Sequence, residues 1–234
     1  MERMDECVEA IRGGCADSLD RILTGDPALA TARLNGRTLL HVATDWPGHF
    51  PHVRASVETL IAHGADVNAE FTGGHSERPL HWAASSDDVD ALEALLDHNA
   101  DIEAPGAVIG GGTALADAVA FGCWNAARRL VGRGAGTTLW QAAALGLMER
   151  VKECFGGDPS PTAPAITNAF WNACHGGQLP AAEFLLDRGA ELNWVGHGGL
   201  TGLDAAQRSG AQGLVVWLQN RGARSAASQA RSGG

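Results

Sequence analysis

The 234-residue sequence predicts an all-α solenoid of helix–turn–helix units joined by short finger loops. Two observations predict it. A seven-residue phrase recurs along the chain. It reads T-L-L-H-V-A-T at Thr38–Thr44 and R-P-L-H-W-A-A at Arg78–Ala84, with looser echoes starting at Thr113, Thr137, Thr167 and Thr201. These starts lie 40, 35, 24, 30 and 34 residues apart, within the spacing expected of repeat arrays. Glycine also punctuates the units: Gly122, Gly146, Gly176 and Gly210 fall between paired helices, and Gly64, Gly134, Gly189 and Gly222 close the second helix.

Each position of the phrase has a local reason. Threonine opens the turn and caps the first helix. Proline suits the first helical position, where its missing N–H loses no bond. Leucine enters the core, and paired alanines let two helices approach closely. On these residues the chain resembles the ankyrin-repeat family, whose opening phrase is close to T-P-L-H-x-A-A and whose closure is close to G-A-D-V-N. His63-Gly64-Ala65-Asp66-Val67-Asn68 and Gly189-Ala190-Glu191-Leu192-Asn193 carry that closure. The resemblance covers about residues 2–224 and implies that His41 and His81 tie neighbouring repeats together.

Taken in order, residues 2–35 read as an N-terminal capping repeat, with helices at Met4–Ile11 and Asp17–Leu23. Residues 36–224 hold six repeats. The first contains an insertion, Asp45–His52, whose prolines Pro47 and Pro51 forbid a continuous helix. The second closes on Asn99 where glycine is usual, and asparagine tolerates the left-handed turn next best. The finger Pro105–Gly112 follows, apolar at its centre and rich in glycine. The third repeat lacks a finger, so the next phrase starts at once. Pro159, Pro161 and Pro164 form a stiff connector ahead of the fifth. Residues 225–234 are small and polar and read as a disordered tail.

Composition narrows the function. Apolar residues make up 45% and charged residues 19%, which is not a disordered composition. A formal charge of −10 argues against nucleic acid, whose phosphates need a basic face, and disfavours an anionic membrane. No segment approaches the length of a membrane helix and no signal peptide is evident. Lys152 is the only lysine, and with so much alanine and glycine this points to a GC-rich, bacterial genome. The five cysteines, Cys7, Cys15, Cys123, Cys154 and Cys174, show no C-x-x-C and read as reduced, buried thiols of a cytoplasmic protein.

The resemblance implies a concave groove lined by the fifth, eighth and ninth positions of each phrase, with the fingers as its rim. Here those positions and the insertion supply Asp45, Trp46, His49, Phe50, Trp82, Ser85, Asp117, Phe121, Gln141, Trp171 and His175. Trp46, Trp82, Phe121 and Trp171 are the expected anchors, since large rigid aromatics dominate binding hot spots. The other reading packs some of these rings between helices. Asp45, Asp117 and His175 suggest acid–base chemistry, although they come from different repeats and read equally as ordinary polar residues. His49 and His52 with Asp45 are a loose match to a metal set, and no metal is expected. Gly110–Thr113 opens a helix and can be read as an anion site or as a plain finger. No established catalytic motif or cofactor fingerprint appears. The expectation is therefore a protein-binding scaffold. The alternative is a small-molecule binder or unorthodox enzyme using the same acidic, Trp-lined groove.

Overall fold

The computed structural model describes residues 2–232. These fold into fifteen α-helices, two short 3-10 turns and two isolated β-bridges, Leu34 with Arg37 and Val195 with Thr201; among the described residues there is no strand. The chain divides into two compact units, Met1–Gly136 and Thr137–Gly234.

The first unit holds α1 (Glu2–Arg12), α2 (Ala16–Gly25), α3 (Leu39–Thr44), α4 (Val53–Ala62), α5 (Pro79–Ser85), α6 (Val89–Asp97), α7 (Ala114–Phe121) and α8 (Trp124–Gly132). First helices stack on first helices, α1 on α3, α3 on α5 and α5 on α7. Second helices do the same, α2 on α4, α4 on α6 and α6 on α8. Alanine makes the first layer thin: Ala43, Ala83, Ala84, Ala116 and Ala118 are buried between neighbours. Leucines from both layers, Leu40, Leu60, Leu92, Leu95, Leu115 and Leu130, fill the core.

The opening phrase works as a reciprocal cap. Thr38 Oγ1 accepts the His41 N–H, and His41 Nδ1 accepts the Thr38 N–H at 3.3 Å. With Nδ1 accepting, Nε2 carries the ring proton and donates to the Glu77 carbonyl of the next repeat at 3.2 Å. His81 repeats the cap: its Nδ1 accepts the Arg78 N–H at 3.1 Å, while its Nε2 faces the Gly112 and Ala104 carbonyls without a well-formed hydrogen bond. Arg78 has no acceptor, so this second cap is one-sided. Asn99 adopts φ 64, the left-handed conformation that closes α6. Along the outer layer Arg54 bonds Asp97 at 2.9 Å, and Arg133 reaches both Glu93 and Asp97, linking α4, α6 and α8.

The second unit holds α9 (Leu139–Leu145), α10 (Met148–Gly156), α11 (Ala163–His175), α12 (Leu179–Leu186), α13 (Gly202–Arg208), α14 (Gln212–Asn220) and α15 (Ala226–Ser232). Here α9, α11 and α13 form one layer, and α10 packs on α12. Two starts shift. The cap of α9 is Thr138 rather than Thr137, because Gln141 takes the histidine's role and accepts the Thr138 N–H at 2.8 Å. Thr167 is no cap at all: α11 begins earlier, capped by Thr162, and Thr167 is buried inside it.

The expected disordered tail is also corrected. Residues 226–232 are helical, and residues 233–234 lie outside the described residues. The Ala226 N–H donates to Asp204 at 2.9 Å, and Gln229 donates to the Asn193 carbonyl at 3.0 Å. Asn193 accepts the Arg224 N–H at 2.7 Å and donates to the Gly222 carbonyl at 3.4 Å. In the first unit Asn68 makes the same two bonds, to Asp101 and Asn99. The segment is thus held the way one repeat holds the next.

Candidate binding surface

The insertion after α3 is strapped to the following repeat. Asp45 pairs with Arg37 at 2.7 Å. The His49 N–H donates to Asp88 at 2.6 Å, and its ring meets the Ser86 carbonyl at 3.1 Å. Phe50 is half-buried, and Ser85 bonds back to the Trp82 carbonyl. The strap leaves Trp46 pointing to solvent, 80% exposed. At the matching end of α7, Phe121 is 54% exposed. The finger between α6 and α7 ends in Val108 and Ile109, 49% and 38% exposed. The first unit therefore leaves four large apolar side chains, Trp46, Val108, Ile109 and Phe121, in water.

Below that surface lies a polar cluster. Glu77 sits at the end of the finger before α5 and is only 5% exposed. Its Oε2 accepts from Trp82 Nε1 at 3.0 Å and lies 2.9 Å from His75 Nδ1. Phe71, His75 and Trp82 pack around it, with ring centroids 4.7 to 6.4 Å apart. Asp117 on α7 is fully buried, 0% exposed, and faces Glu77. Its Oδ1 accepts the Ile109 N–H at 3.3 Å, while its Oδ2 meets no donor. Burial first, and the Glu77 carboxylate second, push the Asp117 carboxyl up to about 8. At neutral pH the Asp117 carboxyl is therefore predominantly protonated. Burial likewise holds His41 down to about 4, so its imidazole is neutral.

Several groove expectations change accordingly. Asp117, Gln141 and Trp171 are buried and cannot line an open surface. Trp82 is half-buried, with its indole N–H committed to Glu77. Gln141 turns inward because it serves the α9 cap. In the second unit Trp171 donates to the Leu200 carbonyl at 2.9 Å, stacks on His175 at 5.5 Å and meets the edge of His197 at 4.9 Å. Asp45 and Asp117 have separate partners, so no acid–base pair forms between them. The Gly110, Gly111 and Gly112 N–H groups are consumed by Val108, Ala107 and Ile109 carbonyls, which removes the anion-site reading. Among the described residues no set of three His, Cys, Asp or Glu side chains is arranged to hold a metal ion. No helix among them is long and apolar enough to cross a membrane. All five cysteines are free; Cys15 is exposed and Cys154 partly so, against the expectation that each is buried. An open depression of about 550 Å³ lies elsewhere, on α6 and α8, lined by Val89, Asn125, Arg128, Arg129 and Gly132.

Residues Glu77 and His75 were not singled out in the sequence. Both lie in a finger, outside the repeating phrase, and only the fold shows that Glu77 faces Asp117.

Stacked helix pairs with reciprocal caps and histidine ties define a helical-repeat protein. Residues 55–138 match the family described as ankyrin repeats (3 copies), and residues 35–70 match the ankyrin repeat. The chain is an ankyrin-repeat protein. Its fold is similar to the human ASB11 ankyrin repeat domain, at 20% identity and a TM-score of 0.54, covering 91% of this chain and 96% of that one. Comparison with curated proteins gave no match. Ankyrin repeats generally mediate protein–protein interaction.

Proposed function

We propose that the first unit binds a protein partner, with Trp46 and Phe121 as its anchors and the Val108–Ile109 finger tip at its rim. The single observation that carries this reading is Trp46, a residue left 80% exposed by an insertion that hydrogen bonds hold in place. An indole exposed in this way has a large apolar surface to bury against a partner. Cytoplasmic location fits five unpaired thiols.

The experiment places a photo-crosslinking residue at Trp46 and, separately, at exposed Glu149 on α10 in the second unit. A discrete crosslinked protein is expected from position 46 alone, and it should disappear when unlabelled wild-type chain competes. Affinity for the captured protein is then measured with Trp46→Ala and Phe121→Ala combined. A loss of about 30-fold or more is expected for a hot-spot pair. Equal capture from both positions, or unchanged affinity, rejects the reading.

The small-molecule or enzyme alternative is not favoured. Its three polar members are engaged otherwise: Asp45 with Arg37, Asp117 buried beside Glu77, and His175 stacked on Trp171.

A further inference from the structure

Nothing in the repeat architecture requires two carboxyl groups to meet in the core. Isolated, either one would be expelled or paired with a cation. Here the nearby arginine is occupied elsewhere: Arg78 turns its guanidinium to Glu70 at 3.2 Å and towards Asp101 at 4.0 Å. The Asp117 Oδ2 atom is buried and finds no N–H or hydroxyl donor, so a proton between the two acids is what satisfies it. The finger 105–112 is bonded to one member of this pair. It is a hairpin in which the Gly106 and Ala107 N–H groups bond the Gly111 and Gly112 carbonyls. The Ile109 N–H, at its tip, is anchored on Asp117.

We infer that Glu77 and Asp117 form a proton-held clasp that pins the 105–112 finger against α7, and that loss of the shared proton frees the Val108–Ile109 tip. A doubly charged pair in this buried position repels itself, and that cost outweighs the stronger hydrogen bond that an ionised Asp117 would accept from the Ile109 N–H. Relief comes from letting water in, which means lifting the finger.

The groups facing the pair from each side are few. The finger before α5 supplies His75, against Glu77. Helix α5 supplies the Trp82 N–H, with Arg78 and neutral His81 nearby. Helix α3 supplies neutral His41, on the Glu77 carbonyl. The start of α8 supplies Cys123, whose thiol is pushed up to about 11 by burial first, with the Asp87 and Asp117 charges adding to it. The finger 105–112 itself brings only the Ile109 N–H. Half-buried His75 lies with its ring against Glu77 and not Asp117.

That a freed tip changes partner binding rests on the partner-surface reading above. The clasp itself is read without any partner, so the two can fail separately. The full chain, labelled with ¹⁵N, is titrated from pH 6 to 9.5. The Trp82 indole N–H, bonded to Glu77, and the exchange protection of the Ile109 amide are followed, the latter corrected for intrinsic base catalysis. Wild type is expected to show one proton step near pH 8 in the Trp82 signal and at least a tenfold fall in Ile109 protection. Asp117→Asn should remove the step and leave protection flat, and Glu77→Gln, as a second variant, should move the step to lower pH. A flat Trp82 signal in wild type, unchanged Ile109 protection, or the same step in both variants overturns the clasp.

Discussion

Asp117→Asn should make the protein more stable at neutral pH, an unusual outcome for a polar substitution at a fully buried site. Folding raises the Asp117 carboxyl from 3.8 to about 8, so the folded chain must take up a proton that the unfolded chain has released. A carboxyl raised in this way contributes fully below pH 3.8, and its contribution is lost as pH climbs towards 8. Between 3.8 and 7 lie about three pH units, each about 1.4 kcal/mol, so wild type forgoes at most about 4 kcal/mol at pH 7. Asparagine has the same shape and needs no proton. Its oxygen keeps the Ile109 N–H, and its amide donates to Glu77 where the shared proton was. Urea denaturation of both proteins at intervals from pH 4 to 9 is the assay. The two curves should meet near pH 4 and separate by about 2–4 kcal/mol at pH 7, with Asp117→Asn the more stable. If Asp117→Asn is equal or less stable at pH 7, Asp117 is ionised in the fold and the shared-proton account is wrong.

The acid side belongs to His41, which burial, and then the Arg33, His75 and Arg37 charges, hold down to about 4 against the Glu77 carbonyl. Its contribution is present above pH 6.5 and is lost, by about 3 kcal/mol, as pH falls through that range to 4. His41→Gln borrows the cap that Gln141 already makes; it should cost about 1 kcal/mol at pH 7 and flatten the acid slope in the same urea series. Gly176→Ala would place a methyl 1.8 Å from the Ala144 carbonyl oxygen and should cost about 3 kcal/mol in a thermal melt. Gly189→Ala meets nothing within 4 Å and bears only the strain of φ 90, about 1 kcal/mol.

What was legible in the sequence was what is local. The Thr38–His41 cap spans three residues and closes where the phrase says it should. Asn99 takes the left-handed turn for the reason its chemistry gives. The misread positions all depend on something distant or on a small slip in register. Gln141 was assigned to the groove by counting from Thr137; the cap at Thr138 moves it one place and buries it. Residues 226–232 look like a tail by composition, but Ser225 lies 24 residues after Thr201, the interval that also separates Thr137 from Thr113 where a finger is missing. That spacing could have flagged a further helix; small polar residues concealed it, and only the bonds from Asn193 and Asp204 reveal it.

The Glu77–Asp117 pair was the least legible, because Asp117 occupies a position that the repeat aims at open water. The finger 105–112 bonds to it through the Ile109 N–H, and no periodic pattern states where a finger of irregular length will lie. The same reasoning applies to Trp46, which is exposed because an insertion interrupts its repeat. In this protein the regular phrase specifies the layers. The residues with unusual environments, an indole exposed to solvent and a buried acid, sit within or beside the irregular insertion and finger. Mutations that restore the consensus at those points should therefore raise stability while removing recognition, whereas consensus changes inside the capped helices should leave binding alone.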